Sequence, residues 1–169
     1  MDDVELRLQL ERVHAECFGW AMACCKRDRD DAEEVLQTVY LKVLDGHARY
    51  NGHSSFRTWL FGVIRRTAAS ERRTAWVRGL LLQRNGETVR PEALASPDAK
   101  VENDSRSKTL RNALVHLAAR QREVLYLVFY HDLTVEEAAA VMGITTGSAR
   151  THYARGKARL ATLIRAEEL

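Results

Sequence analysis

Residues 133–160, LTVEEAAAVMGITTGSARTHYARGKARL, have the pattern of a helix-turn-helix. Thr134 is a good N-cap, and Glu137 stands three residues later to complete a capping box. One apolar stripe then follows at the i, i+3, i+4, i+7 spacing of a short helix: Val135, Ala138, Ala139 and Met142. Gly143 supplies the turn, because glycine tolerates a left-handed backbone. The pattern predicts a short helix, a tight turn and a second helix capped by Thr145.

The second helix of this motif is predicted to have an apolar inner side and a cationic outer side. Its inner residues are Ala149, Tyr153, Gly156 and Leu160, and its outer residues are Gly147, Arg150, Thr151, Ala154 and Arg155. Arginine binds guanine edges or phosphates and threonine contacts bases or backbone, so the outer side suits a DNA major groove. A helical hairpin with a solvated charged face is the alternative. The agreement of caps, turn and charge favours DNA binding.

The charge is distributed unevenly along the 169 residues, although the net charge is only +3. Residues 47–90 contain 9 Lys or Arg against 2 Asp or Glu, and residues 142–169 contain 5 against 2. Residues 1–46 are acidic, with 6 against 11, and residues 91–141 have 6 against 8. Two separate basic blocks indicate two nucleic-acid surfaces. The acidic beginning suggests either a protein partner or a solvated helix face.

The first residues and the cysteines indicate a cytoplasmic protein. MDDVELRLQ lacks the cationic and apolar regions of a signal peptide, and no apolar run approaches membrane-spanning length. Three cysteines, two of them adjacent, do not fit a disulfide framework. His14, Cys17, Cys24 and Cys25 suggest zinc, but seven residues of helix separate Cys17 from Cys24 by roughly 10 Å, too far for one tetrahedral site. We expect buried core cysteines, no metal and no cofactor.

Helical periodicity accounts for the N-terminal part of the chain. A first helix is predicted from about Val4 to Lys26. A second is predicted to be capped by Asp30, with Glu33 in the capping-box position, and to end at Gly46. It has a broad apolar face made of Val35, Leu36, Val39, Tyr40, Val43 and Leu44.

A third helix, residues 56–73, is predicted to begin after Ser55. Both prolines lie in residues 84–104, which read as a linker, and helices resume near Ser105. Sustained strand-type alternation is absent from the sequence. The predicted class is therefore all-α, with two small helical domains, 1–83 and 105–169, joined by the linker 84–104.

Aromatic residues and arginines are interleaved in and around the third helix. The aromatics are Tyr50, Phe56, Trp59, Phe61 and Trp76, and the arginines are Arg49, Arg57, Arg65, Arg66, Arg72, Arg73 and Arg78. Aromatic rings stack on unpaired bases, and arginines hold a nucleic-acid backbone. Trp59 has apolar neighbours at helical spacing and is expected in the core. The basic run 65–73 is expected to follow phosphates.

These segments together resemble bacterial group 4 sigma factors, the extracytoplasmic-function (ECF) type of the sigma-70 family. Residues 31–44 resemble the core-polymerase-binding helix, 56–73 the promoter-melting and −10 recognition helix, and 117–160 the −35-binding domain. Order, spacing and lengths agree over nearly the whole chain apart from the linker. The resemblance implies a sigma2-like domain over 1–83 and a sigma4-like helix-turn-helix domain over 105–169. It implies an alternative sigma factor, not an enzyme, that binds core RNA polymerase and directs it to specific promoters.

The resemblance also implies residues for each site. Contacts with a coiled-coil of the largest polymerase subunit fall on Asp31, Glu34, Gln37 and Tyr40. The polar loop between His47 and Phe56 would capture an extruded −10 base. The −10 DNA contacts are His47, Tyr50, Asn51, Ser54, Arg57, Arg65, Arg66 and Arg73. The −35 DNA contacts are Thr145, Ser148, Arg150, Thr151, His152, Arg155 and Lys157.

The chain departs from the family pattern in two places. Arg66 and Ser70 stand where the family often has Asn and Asp, which affects the expected −10 specificity. Leu117-Ala118 stands where Leu-Pro is common, which affects only how that helix begins.

The resemblance implies protein and DNA partners and no small-molecule substrate. The family's usual regulator is an anti-sigma factor, often membrane-tethered, that covers the polymerase-binding surface. The apolar face of 31–44 and the three leucines at 80–82 would suit a helical inhibitor of this kind.

Functions of two other classes remain open from the residues. An autonomous helix-turn-helix transcription regulator would bind duplex DNA as a dimer, without polymerase. A nucleic-acid enzyme would place carboxylates around a metal, for which the candidates are Asp28, Asp30, Asp31, Glu33 and Glu34. These carboxylates fit helix capping and a solvated face better, and no Cys/His/Asp arrangement suggests a nucleophile or base.

Overall fold

The computed structural model describes residues 2–84 and 105–167, with side chains placed over 2–81, 109–110 and 112–166. These residues form helices and connecting turns, which confirms the all-α class. The helices are α1 (Asp3–Cys24), α2 (Arg29–Leu44), α3 (Phe56–Arg84), α4 (Ser105–Val115), α5 (Ala119–Tyr130), α6 (Val135–Met142) and α7 (Thr146–Glu167). The chain divides into two compact units, residues 1–98 and 99–169. The predicted linker, apart from Arg84, lies outside the described residues.

The first unit is a bundle in which α1, α2 and α3 all pack against one another. Its buried side chains include Cys17, Trp20, Val35, Leu36, Val39, Leu60, Phe61 and Ile64. The indole Nε1 of Trp20 donates a hydrogen bond to the Phe61 carbonyl oxygen at 3.0 Å, and the two rings stack with centroids 5.8 Å apart. A buried indole N–H needs such a partner, so this contact joins α1 to α3 without leaving an unpaired donor.

The turn between α1 and α2 differs from the prediction. Helix α1 ends at Cys24, before the predicted Lys26, because Lys26 and Arg27 adopt left-handed backbone angles, with φ of 53° and 67°. The cap of α2 is Asp28 and not Asp30, since the Asp28 carboxylate accepts the N–H of Asp31 at 2.9 Å. Either aspartate satisfies the local capping pattern. The left-handed turn decides between them by bringing Asp28 to the helix entrance.

Helix α3 begins after Ser55, as predicted, and the Ser55 hydroxyl accepts the N–H of Thr58 at 3.1 Å. It continues to Arg84, beyond the predicted end at Arg73 and just past the predicted domain boundary at 83. Residues 74–84 contain one glycine, Gly79, and no proline, so nothing in them ends a helix.

The second unit contains α4 to α7, and α6 and α7 form the predicted helix-turn-helix. Both bonds of the capping box are present: the N–H of Glu137 donates to the Thr134 hydroxyl at 3.1 Å, and the N–H of Thr134 donates to the Glu137 carboxylate at 2.9 Å. Gly143 has the left-handed φ of 65° that the turn requires. The Thr145 hydroxyl accepts the N–H of Ser148 at 3.2 Å and so caps α7.

Helix α7 approaches α5 most closely at Gly156. A β-carbon on Gly156 would lie 3.1 Å from Leu125 Cδ1 and 3.2 Å from Gln121 Cβ, whereas one on Gly147 would meet nothing within 4 Å. The close approach of α7 to α5 therefore requires glycine at position 156 but not at position 147.

We expect Gly156→Ala to lower the free energy of unfolding by about 1 kcal/mol. Overpacking of about 1–3 kcal/mol outweighs the gain of about 1 kcal/mol in helix propensity. Gly147→Ala, in the same helix, should leave stability unchanged or raise it by up to about 1 kcal/mol. Urea unfolding of both variants measures the difference. A stabilised Gly156→Ala variant would show that α5 and α7 do not pack closely there.

Candidate polymerase and nucleic-acid interfaces

The outer side of α7 is exposed and its inner side is packed, as predicted. Ala149 and Gly156 are buried, and Tyr153 and Leu160 are half-buried. All five residues predicted for the outer side are exposed: Gly147, Arg150, Thr151, Ala154 and Arg155. The N-terminal part of α7 thus presents a small, polar and cationic surface of the kind that enters a major groove.

The other residues predicted for −35 DNA lie on or beside this surface. Ser148 and Lys157 are exposed, while His152 is half-buried. The Lys157 ammonium lies 5.3 Å from the Tyr153 ring centroid, which places it on the flank of the helix. Thr145 is exposed, but its hydroxyl is the N-cap acceptor of α7. Its main structural role is therefore to begin the helix.

One residue of this surface was missed from the sequence. The Glu136 carboxylate, in the first turn of α6, accepts a hydrogen bond from Arg150 Nη2 at 2.6 Å. This bond stabilises the charged carboxylate and lowers the pKa of Glu136. The two residues belong to different helices, so only the tertiary fold brings them together.

A cationic cavity of about 330 Å³ lies in the first unit between α2, the loop after it and α3. It is lined by Lys42, His47, Ala48, Arg49, Trp59, Val63, Arg66, Thr67 and Ser70. No carboxylate occurs among these described lining residues. The Lys42 ammonium donates to the Thr67 hydroxyl at 3.4 Å, and the N–H of Ala48 donates to the Lys42 carbonyl at 2.8 Å. The second bond holds the loop against the end of α2.

Only two of the predicted −10 residues, His47 and Arg66, line this cavity. Four further polar residues line the cavity: Lys42, Arg49, Thr67 and Ser70. Arg49 lies in the loop expected to capture a base, and Ser70 is one of the two departures from the family pattern, whereas Lys42 and Thr67 were not predicted for this site. Two of the four, Thr67 and Ser70, lie on α3 beside Arg66, and Lys42 comes from α2. The sequence does not reveal that α2 and α3 place these groups around one space.

Three predicted −10 residues shape the loop itself. The Tyr50 hydroxyl donates to the Ser54 carbonyl, and the Tyr50 ring lies 5.5 Å from the ring of Phe56 and 5.5 Å from that of Trp59. Asn51 Oδ1 accepts the N–H of His53 at 3.2 Å. Trp59, which was expected in the core, is half-buried and lines the cavity because its ring belongs to this aromatic cluster.

The remaining arginines predicted for −10 DNA lie outside the cavity lining. Arg57 is half-buried and forms an ion pair with Glu16 of α1 at 2.6 Å, so it faces the bundle rather than the cavity. Arg65 is half-buried and Arg73 is exposed. The neighbouring Arg72 donates to the Cys24 carbonyl at 3.0 Å, where a cation favours the C-terminal end of α1.

The candidate polymerase surface on α2 is acidic at its start and apolar towards its end. Asp31, Glu34 and Gln37 are exposed, as is Leu41, which keeps 60% of its surface accessible. Partial burial raises the pKa of Asp31, and the charges of Asp28, Glu34 and Asp30 raise it further. Neighbouring negative charges therefore already repel one another at this end of the helix.

Tyr40, the fourth predicted polymerase contact, is half-buried against α1. Its hydroxyl lies 2.9 Å from His14 Nδ1, and burial raises the pKa of the phenol. Tyr40 therefore contributes to the packing of α1 on α2, and its substitution would affect more than a docking surface.

The C-terminal part of α3 carries an exposed apolar patch. Trp76 is 66% exposed, and Val77, Leu80 and Leu81 are also exposed. Two of the three leucines noted in the sequence are thus exposed, while the side chain of Leu82 lies outside the described residues. Contiguous apolar side chains of this size on a surface are typical of an interaction site.

The cysteines are placed in or near the core of the first unit. Cys17 and Cys25 are buried, and burial raises the pKa of their thiols to about 12 and about 11. Cys24, expected in the core, is only half-buried. Over the described residues, no three His, Cys, Asp or Glu side chains are grouped as a metal site. Nor does any helix in that part of the chain have the length and hydropathy to cross a membrane.

Comparisons with known proteins match both units. The family model of Sigma-70 region 2 matches residues 10–78, and that of Sigma-70, region 4 matches residues 107–160. The ECF RNA polymerase sigma factor SigC of Mycobacterium tuberculosis is 30% identical over 138 residues, which cover 82% of this chain and 72% of SigC. The RNA polymerase sigma factor YlaC of Bacillus subtilis is 28% identical over 136 residues, 78% of this chain and 76% of YlaC.

Two solved structures share the fold. One is the sigma factor RpoE of Bartonella quintana, in complex with the anti-sigma factor NepR, with a TM-score of 0.71 and 24% identity over 95% of this chain and 97% of RpoE. The other is CnrH in complex with the cytosolic domain of CnrY, with a TM-score of 0.63 and 19% identity over 98% of this chain and 90% of CnrH. Region 2 lies in the first unit and region 4 in the second, and the chain belongs to the ECF RNA polymerase sigma factors, which are transcription initiation factors.

Proposed function

We propose that this sigma factor binds core RNA polymerase through α2, captures opened −10 DNA in the cavity beside α3, and binds −35 DNA with α7. It would act in the cytoplasm, where its polymerase and promoters are. The observation that carries the proposal is the position of the two cationic surfaces in different units, the cavity in the first and the outer side of α7 in the second. Two linked DNA-binding modules of modest affinity gain avidity, because binding of the first raises the effective concentration of the second. The chain would therefore bind most tightly to a promoter that has both elements.

The polymerase-binding role of α2 rests on its charge and its exposed leucine. A cationic partner beside Asp31 would offset the repulsion from neighbouring carboxylates, which adds to partial burial in raising the pKa of Asp31. Leu41, one turn after Gln37, gives the surface an apolar centre that a partner can desolvate. An acidic start followed by an apolar centre would suit a coiled-coil of the largest polymerase subunit if that coiled-coil presents basic side chains beside an apolar one.

The −10 role of the cavity rests on its size and chemistry. Opening a duplex and extruding a base costs a few kcal/mol, which a pocket that holds the base partly offsets. Trp59 offers an aromatic face, and Lys42 and Arg66 offer cations for the adjoining phosphates. The loop bonds of Tyr50 and Asn51 prepare this shape before DNA arrives, so less ordering is needed on binding.

We expect Arg66→Ala to make the free energy of promoter opening less favourable by about 1–3 kcal/mol, because the substitution removes a charged contact with DNA. If Arg66 contacts a phosphate, the slope of the logarithm of the binding constant against the logarithm of salt concentration should also fall by about one unit. Permanganate reactivity of unpaired thymines, measured with polymerase over a salt series, reports both quantities.

The matched control is Arg78→Ala, which removes the same charge from an exposed position farther along α3. This control should open promoters like the unmodified chain. Equal losses in the two variants would mean that the general charge of α3, and not the cavity, supports opening.

We further propose that an anti-sigma factor inhibits this chain by covering the apolar patch Trp76, Val77, Leu80 and Leu81. RpoE was solved with the anti-sigma factor NepR, and CnrH with the cytosolic domain of CnrY. A cytosolic domain is what a membrane-tethered inhibitor would present. The patch has the i, i+4 spacing that receives the apolar face of an amphipathic helix. Arg73 and Arg78 flank it and would favour an inhibitor helix with acidic residues beside its apolar face.

A further inference from the structure

We propose that Glu136 is a positioning residue that sets the base preference of Arg150. The inference rests on the proposed function of α7, in which Arg150 reads a base pair of the −35 element. It starts from the 2.6 Å contact between the Glu136 carboxylate and Arg150 Nη2, which joins the first helix of the motif to the second.

The contact leaves most of the guanidinium available. A guanidinium has five N–H donors, and the ion pair engages Nη2. A guanine offers two acceptors, O6 and N7, in the major groove, and an arginine binds both with two donors. Glu136 can therefore fix the direction of the Arg150 side chain while other donors face the base.

The ion pair contributes little to holding the unit together. The Arg150 and Glu136 side chains keep 68% and 52% of their surface accessible, and ion pairs so exposed add little stability. The capping box of α6 uses the neighbouring Glu137. The Glu136 carboxylate also lies in the first turn of α6, where its charge favours the helix dipole, but it is not part of the capping box or the core. Its contact with Arg150 therefore acts mainly on the direction of that side chain.

Orientation by a carboxylate favours base contact in two ways. It restrains a long side chain before binding, so less rotamer freedom is lost on the DNA. It also satisfies part of the arginine charge and repels phosphates, so Arg150 is less inclined to bind the backbone. Backbone contacts carry no sequence information, and their suppression raises the preference for the correct base.

The test compares Glu136→Gln with the unmodified full-length chain, bound to core polymerase, on promoters in which each −35 base pair is replaced in turn at fixed salt. We expect the preference at the base pair read by Arg150 to fall about two- to fivefold, the range of an exposed ion pair. Preferences at the other −35 base pairs should stay unchanged. In the Arg150→Ala background the same substitution should change no preference, because the group that it positions is absent.

The matched control is Asp132→Asn, which removes the same charge from an exposed residue of the same unit. Asp132 has a left-handed φ of 52°, a conformation that asparagine also tolerates. This variant should alter no single base preference.

Three results would overturn the proposal, and the first two are distinguishable from the third. If Glu136→Gln changes all −35 preferences alike, or acts equally in the Arg150→Ala background, Glu136 does not act through Arg150, although Arg150 still reads its base. If Arg150→Ala alone weakens binding to every promoter variant equally, Arg150 does not read a base. The proposal that Glu136 positions Arg150 for base reading is then also wrong.

Discussion

Core RNA polymerase should bind the double variant Gln37→Ala, Leu41→Ala at least about thirtyfold more weakly than the unmodified chain. Both side chains are exposed one turn apart on α2, and Leu41 is 60% accessible. Truncation of a side chain at the centre of an interface removes about 2 kcal/mol or more. Titration of fluorescently labelled chain with core polymerase measures the loss.

The control for this variant is the pair Val4→Ala, Leu8→Ala. These residues are also exposed and one turn apart, but they lie on α1. The control should bind polymerase normally. Tyr40 is left intact in the test, because its contact with His14 would mix docking with helix packing. Normal binding by the α2 variant, or an equal loss of binding in the α1 control, would show that α2 is not the specific polymerase-binding surface.

Arg150→Ala should weaken promoter binding by about 1–3 kcal/mol and relax the preference at one −35 base pair. Arg150 is exposed near the N-terminal end of α7, where such a helix enters the groove. The inner side of α7 is held in the core by the buried residue Ala149. The measurement is binding to single-base promoter variants at fixed salt, with polymerase present.

Lys157→Ala is the companion variant, because the Lys157 ammonium lies on the flank of α7 beside the Tyr153 ring. It should weaken all promoter sequences alike and lower the salt dependence by about one unit of slope if Lys157 meets a phosphate. A uniform loss with Arg150→Ala would instead show that Arg150 only positions the helix.

The sequence predicted the helix-turn-helix in detail because its determinants are local. The bonds between Thr134 and Glu137, the turn at Gly143 and the cap at Thr145 all join residues within a few positions of one another. The same local rules failed at α2, where Asp28 and Asp30 both satisfy the capping pattern. There the backbone turns left-handed at Lys26 and Arg27, and Asp28, directly after this turn, is the residue that caps the helix.

The sites were harder to predict than the helices, since they depend on contacts between helices. From the sequence, Arg57 and Arg66 were both predicted to contact −10 DNA. In the structure Arg57 pairs with Glu16, whereas Arg66 lines the cavity. Lys42 and Glu136 lie on helices other than those expected to hold their sites, so no spacing rule points to them. Their roles become visible only when the packing of α2 on α3 and of α6 on α7 is known.

The most direct test of the account is transcription from genomic DNA fragments by core RNA polymerase, with and without this chain, read by sequencing of transcript 5′ ends. We expect start sites that occur only with the chain and that share two upstream elements at a constant separation. The Gln37→Ala, Leu41→Ala variant should abolish these starts. Specific binding of duplex DNA by the chain alone, with no new start sites when polymerase is added, would contradict the account and favour an autonomous regulator.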